Sequence, residues 1–249
     1  MDFGRVITAM VTPFDEALNV DWNQVRKLID YLIEEQKTDS LVICGTTGES
    51  PTLTEEEKLE MFRVAVDQAK GRCRIIAGTG SYNTAHTVHL TQEAEKIGVD
   101  GVLLVAPYYN RPSQEGLYEH FKTVAQSVKL PVILYNIPSR TGVTVSASTT
   151  LKLAELPNVV ATKESHSDFD LISELTANAP DGFRVYSGDD ILTLPMLSVG
   201  AYGIISVASH VIGKEIRALV ESYVNGDVKQ AAQWHAKLRP IFNGMFNCP

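Results

Sequence analysis

Apolar and polar positions follow two regimes along this chain. Short apolar runs rich in β-branched residues recur from end to end: VITAMV (6–11), LVICG (41–45), RIIAG (74–78), GVLLVAP (101–107), PVILYNIP (131–138), VVATKE (159–164), FRVYSG (183–188) and GIISVAS (203–209). Runs that are apolar on both faces fit buried parallel strands, which helices cover on either side. Between them the apolar positions take up a helical period. Over residues 22–35, Trp22, Val25, Leu28, Ile29 and Leu32 stand at i, i+3, i+4 spacing. Leu59, Phe62, Val66 and Ala69 repeat the pattern over 56–69. Thr54 followed by three glutamates forms a Thr-x-x-Glu capping box with acidic charge in the first turn. Ser113-Gln114-Glu115 opens another helix after Pro112, and Gly98 sits where a C-terminal helix cap belongs.

No linker or composition shift divides the chain, and every strand-to-strand connection is long enough for a right-handed crossover. Eight such units suit a closed (β/α)8 barrel or an open doubly wound sheet. The count of eight and the length favour the α/β TIM barrel. The segment TPFDEALNV after the first strand also lacks the GxGxxG turn of a dinucleotide-binding sheet. Residues 211–225 would close the barrel, which makes 1–225 the catalytic domain. Residues 226–249, with a helix over 228–246, begin a C-terminal helical region.

Composition narrows the class. The 249 residues are 44% hydrophobic and 21% charged, which excludes a disordered, collagenous or coiled-coil chain. A net charge of -8 argues against a nucleic-acid partner, while leaving a local Arg or Lys free to hold an anionic substrate. Cys44, Cys73 and Cys248 form neither a disulfide framework nor a CxxC zinc pattern, so a reducing compartment is expected. The opening MDFGRVITAMVTPF shows no signal peptide, and no apolar run is long enough to span a bilayer. The expectation is a cytoplasmic protein without membrane partners.

In a barrel the residues at the C-terminal ends of the strands face the active site. Here those ends are Gly45-Thr46-Thr47-Gly48-Glu49-Ser50, Pro107-Tyr108-Tyr109-Asn110-Arg111-Pro112, Tyr135-Asn136-Ile137-Pro138-Ser139-Arg140, Thr162-Lys163-Glu164 and Ser187-Gly188-Asp189-Asp190. Lys163 ends an apolar strand, an unusual place for a charge. It is either a strand-end lysine in solvent or a desolvated amine with a depressed pKa, able to attack a ketone and form a Schiff base. Tyr135, Tyr109 and the Thr46 and Thr47 hydroxyls could carry protons for that chemistry, and Arg140 could hold a carboxylate. Each also has a plainer reading: packed rings for the tyrosines, local turn bonds for the threonines, a surface charge for the arginine. Their convergence on one rim favours the chemical reading. The loops SGDD and SVASH lack a glycine-rich phosphate cradle, which disfavours a phosphate-binding or flavin barrel.

Gly45-Thr46-Thr47-Gly48-Glu49, Tyr108-Tyr109-Asn110, Tyr135-Asn136-Ile137-Pro138 and Lys163-Glu164, in that order, resemble the dihydrodipicolinate synthase/N-acetylneuraminate lyase superfamily across nearly the whole chain. The resemblance implies a Schiff-base (β/α)8 lyase acting on pyruvate. Thr46-Thr47, the run YYNRPSQEGLY (108–118) and Pro138-Ser139-Arg140-Thr141-Gly142 match the branch that condenses pyruvate with L-aspartate 4-semialdehyde in lysine and diaminopimelate biosynthesis. It implies Lys163 as the imine-forming amine, Tyr135 as proton shuttle and Thr46 as relay to Tyr109, which in the family reaches in from a neighbouring subunit. The amides of Thr46 and Thr47 would hold the pyruvate carboxylate, and Arg140 that of the semialdehyde. Gly188 and Ile205 would shape the pocket through their backbone carbonyls. It further implies no metal or organic cofactor, and a homo-oligomer: a tetramer, or a dimer if the C-terminal region matters for assembly. Two alternatives stand beside this reading. One is a pyruvate-dependent aldolase for a sugar acid or hydroxy-oxo acid, and the other is a non-catalytic barrel that binds a 2-oxo acid.

Three departures from the family pattern carry expectations of their own. At the positions of the lysine-inhibition site this chain has Glu55, Lys58, Tyr82 and His86, so free lysine is expected to inhibit weakly. Ser165-His166-Ser167-Asp168 follows Lys163-Glu164 where a small residue and Gly are usual. His166 reads as an exposed helix-start histidine or a tuner of substrate choice. The pair His86 and His89 reads as surface, with no carboxylate placed to complete a zinc site. Finally, family members continue through further helices beyond Pro249, so the helical extension is expected to be truncated.

Overall fold

Eight strands close into a parallel barrel in sequence order: β1 (Val6–Ala9), β2 (Ser40–Ile43), β3 (Arg74–Gly78), β4 (Gly101–Val105), β5 (Val132–Asn136), β6 (Val159–Glu164), β7 (Arg184–Ser187) and β8 (Gly203–Ser206). β8 pairs back onto β1, with Ile205 opposite Ile7 and Ser206 opposite Thr8. The computed structural model of the chain describes residues 2–245. The sheet has no free edge, so every strand finds a hydrogen-bonding neighbour on both sides.

The strands are apolar on both faces because each faces a different core. Ile7, Val42, Ile76, Leu103, Ile133, Ala161, Tyr186 and Ile205 point inward and fill the barrel. The alternate residues, such as Leu41, Ile43, Ile75, Leu104 and Leu134, point outward against the helices. Alternation at a period of two thus divides one run between two cores.

The helices are α1 (Trp22–Glu34), α2 (Glu55–Ala69), α3 (Thr84–Ile97), α4 (Gln114–Gln126), α5 (Pro138–Thr141), α6 (Ala147–Ala154), α7 (Phe169–Asn178), α8 (Thr193–Ser198), α9 (Ser209–Val224) and α10 (Val228–Gly244). The capping box opens α2: Thr54 Oγ1 accepts from the Glu57 amide at 3.2 Å, and the Thr54 amide donates to Glu57 Oε2 at 2.8 Å. Gly98 ends α3 at φ 94°, a left-handed geometry that glycine adopts without steric cost. Val25, Ile29 and Leu32 are the buried stripe of α1.

Two sequence expectations shift. Most of the apolar runs extend two or three residues past the last paired residue of their strand, because the chain leaves the sheet at the rim while residues such as Met10, Cys44 and Ala106 are still buried in the core. The short helices α5 and α8 carry too few turns to show a period. α9 and α10 pack together through Ile216, Leu219, Val220, Leu238 and Phe242. The expected end of the last helix at 246, and Cys248, lie outside the described residues. Among the described residues no helix is long and apolar enough to cross a membrane.

Candidate active site

Lys163 is the fifth residue of β6, and alternation turns it into the barrel. It stands opposite Tyr135 of β5 on one side and Tyr186 of β7 on the other. Its side chain is 5% exposed, and its Nζ lies 4.2 Å from the centroid of the Tyr135 ring. The solvent-facing alternative for Lys163 is therefore excluded. Burial alone would hold the proton on Tyr135. The Lys163 ammonium, with the nearby Ser165 and Thr46 hydroxyls, outweighs it, and the Tyr135 pKa lies below the ordinary tyrosine value.

Two adjoining cavities open at this rim. One, of about 200 Å³, is lined by Thr46, Thr47, Tyr135, Arg140, Lys163 and Gly188, together with Ser165, Asp189 and Val207. The other, of about 260 Å³, shares Thr46, Tyr135 and Arg140 and extends to Lys58, Ser81 and Tyr108. The first holds the amine, the phenol and the arginine around a space suited to a three-carbon acid. Arg140 reaches it from α5, which Pro138 starts directly after β5. A Cβ built at Gly188 would lie 2.8 Å from Lys163 Cε and 1.9 Å from Ser165 Oγ, so only glycine leaves room for both side chains.

Behind the inner pair, on the outer face of the same strands, Asn136 stands opposite Glu164. Glu164 is fully buried and accepts from Thr162 Oγ1 at 2.6 Å, Asn136 Nδ2 at 2.8 Å and His166 Nε2 at 2.7 Å. The Asp168 amide donates to His166 Nδ1 at 3.2 Å, which leaves the Nε2 proton for Glu164. At β8, the Ser206 hydroxyl and the amides of Val207 and Ala208 donate to buried Asp190. Burial raises the Asp190 pKa against the pull of these donors.

Lys163, Tyr135, Thr46, Thr47, Arg140 and Gly188 are thus brought together. Two expected residues are not. Ile205 is packed in the inner core opposite Ile7 and does not line either cavity; Val207, two residues further on, does. Tyr109 is 88% exposed, at a left-handed φ of 72°, and lies outside both cavities of its own chain. His166 is also corrected. Its side chain is nearly buried, bound to Glu164, and lines neither cavity. The Glu55 carboxylate does lie beside the histidine pair, 3.4 Å from His86 and 3.0 Å from His89. Among the described residues no cluster is arranged to hold a metal ion. Cys44 and Cys73 are free and buried, and burial pushes both thiols up to about 12. Ser165, noted in the sequence only as part of a departure from the family pattern, was not expected in the cavity, although its place two residues after Lys163 carries it to the same face.

Fold and site together define a class: a closed (β/α)8 barrel that presents a buried lysine at the end of its sixth strand, against a tyrosine of the fifth. The chain belongs to the Dihydrodipicolinate synthetase family, whose model matches residues 2–249. It is 53% identical over 247 residues to a 4-hydroxy-tetrahydrodipicolinate synthase of Desulforamulus reducens, covering 99% of this chain and 83% of the relative. It is 52% identical to the protein of that name from Bacillus subtilis, covering 100% of this chain and 86% of the relative. The crystal structure of dihydrodipicolinate synthase from Bacillus anthracis superposes with a TM-score of 0.97 at 48% identity, covering 100% of this chain and 85% of that one.

Proposed function

We infer that this chain is a Schiff-base lyase that condenses pyruvate with L-aspartate 4-semialdehyde to give 4-hydroxy-tetrahydrodipicolinate, a step of lysine and diaminopimelate biosynthesis. The observation that carries it is the buried Lys163 amine against the Tyr135 ring, in a cavity that also holds Arg140.

In this mechanism Lys163 Nζ attacks the pyruvate ketone, and the carbinolamine loses water to form an imine. Tyr135 takes and returns protons at these steps, and Thr46 beside it relays them outward. Loss of a C3 proton gives the enamine, whose carbon attacks the semialdehyde carbonyl. The amine of the second substrate then closes the ring onto C2 and releases Lys163. The protonated imine serves as electron sink, so the reaction calls for no metal or organic cofactor. The amides of Thr46 and Thr47 hold the pyruvate carboxylate, and Arg140 holds the carboxylate of the semialdehyde. Gly188 keeps the space around Lys163 open. Tyr109, turned outward from its own chain, completes the relay from a second copy, which makes the working species a homo-oligomer. We place the catalytic unit at 1–225 and the helical region from 226, and assign the protein to the cytoplasm.

Borohydride reduction with pyruvate, followed by peptide mapping, tests this reading. One reduced adduct on Lys163, absent in Lys163→Ala, is the expected result, followed by turnover with the semialdehyde. A folded protein without an adduct would overturn the reading. Turnover with N-acetylneuraminate or 2-keto-3-deoxygluconate in its place would reassign the substrate.

A further inference from the structure

Arg140 lines both cavities from a helix of only four residues, and its side chain is exposed. So short a helix gives a binding group little support of its own. The support comes from the chain that follows. Residues 137–146 leave β5, form α5, turn at Gly142 with a left-handed φ of 73°, and come back past Asn136, the last residue of β5. On the return, the backbone of 144–146 is read by two side-chain amides. Buried Asn136 takes both groups of Val145: its Nδ2 donates to the Val145 carbonyl at 3.1 Å, and its Oδ1 accepts the Val145 N–H at 3.0 Å. Exposed Gln114, at the start of α4, takes the groups on either side. Its Nε2 donates to the Thr144 carbonyl at 2.8 Å, and its Oε1 accepts the Ser146 N–H at 3.0 Å. Alternate residues thus bond to alternate partners, as in a strand paired on both edges. Asn136 is fixed in turn by its Nδ2 bond to the buried Glu164 carboxylate at 2.8 Å. Only a carboxamide meets all three demands. An aspartate would have no donor and would face Glu164 with a second carboxylate, and an alanine would leave the buried Val145 groups unpaired.

We propose that the Asn136 and Gln114 amides are positioning groups for Arg140, clamping the return of its segment so that the guanidinium stands at the cavity before the second substrate arrives. The proposal rests on the reading of Arg140 as the group that holds the semialdehyde carboxylate. A segment that must be ordered when the ligand binds weakens that binding, and a segment already clamped does not. Neither amide lines a cavity, so each acts through the arginine and not on substrate.

The test measures the KM for aspartate semialdehyde and the rate of borohydride trapping with pyruvate in Asn136→Ala and Gln114→Ala, each alone and combined with Arg140→Ala. Asn136→Ala should raise that KM roughly 3- to 10-fold and Gln114→Ala roughly 2- to 5-fold, the worth of ordering the segment on binding. Trapping with pyruvate should be unchanged. In the Arg140→Ala background neither variant should raise the KM further, because the clamp has nothing left to hold. A general loss of stability would not depend on Arg140 in this way. Gln114 has no bond to Glu164, so its variant reads the clamp even where Asn136→Ala fails to fold. An unchanged KM in folded Gln114→Ala, or an equal rise in the Arg140→Ala background, would overturn the proposal. So would slowed trapping with an unchanged KM in Asn136→Ala, which would make Asn136 a support for Lys163 through Glu164. If Arg140→Ala alone leaves the KM unchanged, the reading of Arg140 itself falls, and this proposal with it.

Discussion

Gly188→Ala places one methyl group into the most crowded contact of the site. The added carbon would sit 1.9 Å from Ser165 Oγ, 2.8 Å from Lys163 Cε and 3.0 Å from Lys163 Cγ, whereas ordinary contact begins at 3.4 Å. Ser165 can turn its hydroxyl to another rotamer. Lys163 has to retreat by about half an ångström, and the close-packed interior around Tyr135 and Tyr186 resists the movement. A displacement of about 1 Å costs roughly 100-fold in rate when reacting groups are prealigned, so half of that lowers kcat roughly 10-fold. Overpacking also costs about 1–3 kcal/mol, which lowers the melting temperature by several degrees without unfolding the protein at 25 °C. The assay is steady-state turnover and the rate of adduct trapping, alongside a melting curve. Gly244→Ala, at the end of α10 with no atom within 4 Å of the added carbon, is the control and should behave as the unmodified protein. Unmodified kcat in a folded Gly188→Ala protein would refute the crowding argument, and with it the reason for a glycine at the end of β7.

Arg140→Ala should raise the KM for aspartate semialdehyde about 10- to 100-fold, the worth of a charge-assisted hydrogen bond, and leave pyruvate adduct formation intact; loss of the adduct would contradict that assignment. Stability should fall on acidification in a window set by His120 of α4, a buried imidazole whose pKa burial lowers to about 4. As pH drops from about 6.5 the unfolded chain binds a proton that the folded chain refuses. The loss approaches about 3 kcal/mol by pH 4. His120→Gln should flatten the change in urea midpoint between pH 7 and pH 5, and parallel declines in the two proteins would contradict this. Free lysine should inhibit weakly. Glu55 is engaged by His86 and His89, and Tyr82 packs edge-on against Tyr108 with ring centroids 5.2 Å apart. Sub-millimolar inhibition would refute it.

The barrel was legible because a buried parallel strand leaves a plain trace, a short apolar run with no polar alternate. Lys163 stood out as the charge at the end of such a run, and the period of two was enough to turn it inward. What the pattern did not show lies where the chain leaves regular structure. Ile205 sits one residue before the end of β8, and the turn beyond it, fixed by Asp190, presents Val207 to the cavity instead. His166 looked exposed because it precedes a helix, but the buried Glu164 carboxylate draws it in. Tyr109 is chemically suited to a proton relay, yet it stands exposed on a loop with left-handed φ at Tyr109 and Arg111, and a role for it from a second copy is suggested by the family resemblance alone. Side-chain direction in a loop depends on contacts distant in sequence, which a local period does not encode.

The ends of β5 and β6 carry two cross-strand pairs back to back: Tyr135 with Lys163 on the inside, Asn136 with Glu164 on the outside. The same backbone therefore serves two masters that never touch. Changes to the inner pair alter what the barrel can react with and leave its fastening intact. Changes to the outer pair loosen the fastening while every reacting atom keeps its identity. Such a division makes the rim open to diversification: new chemistry can be tried on the inner face one residue at a time, without the scaffold having to be rediscovered at each step.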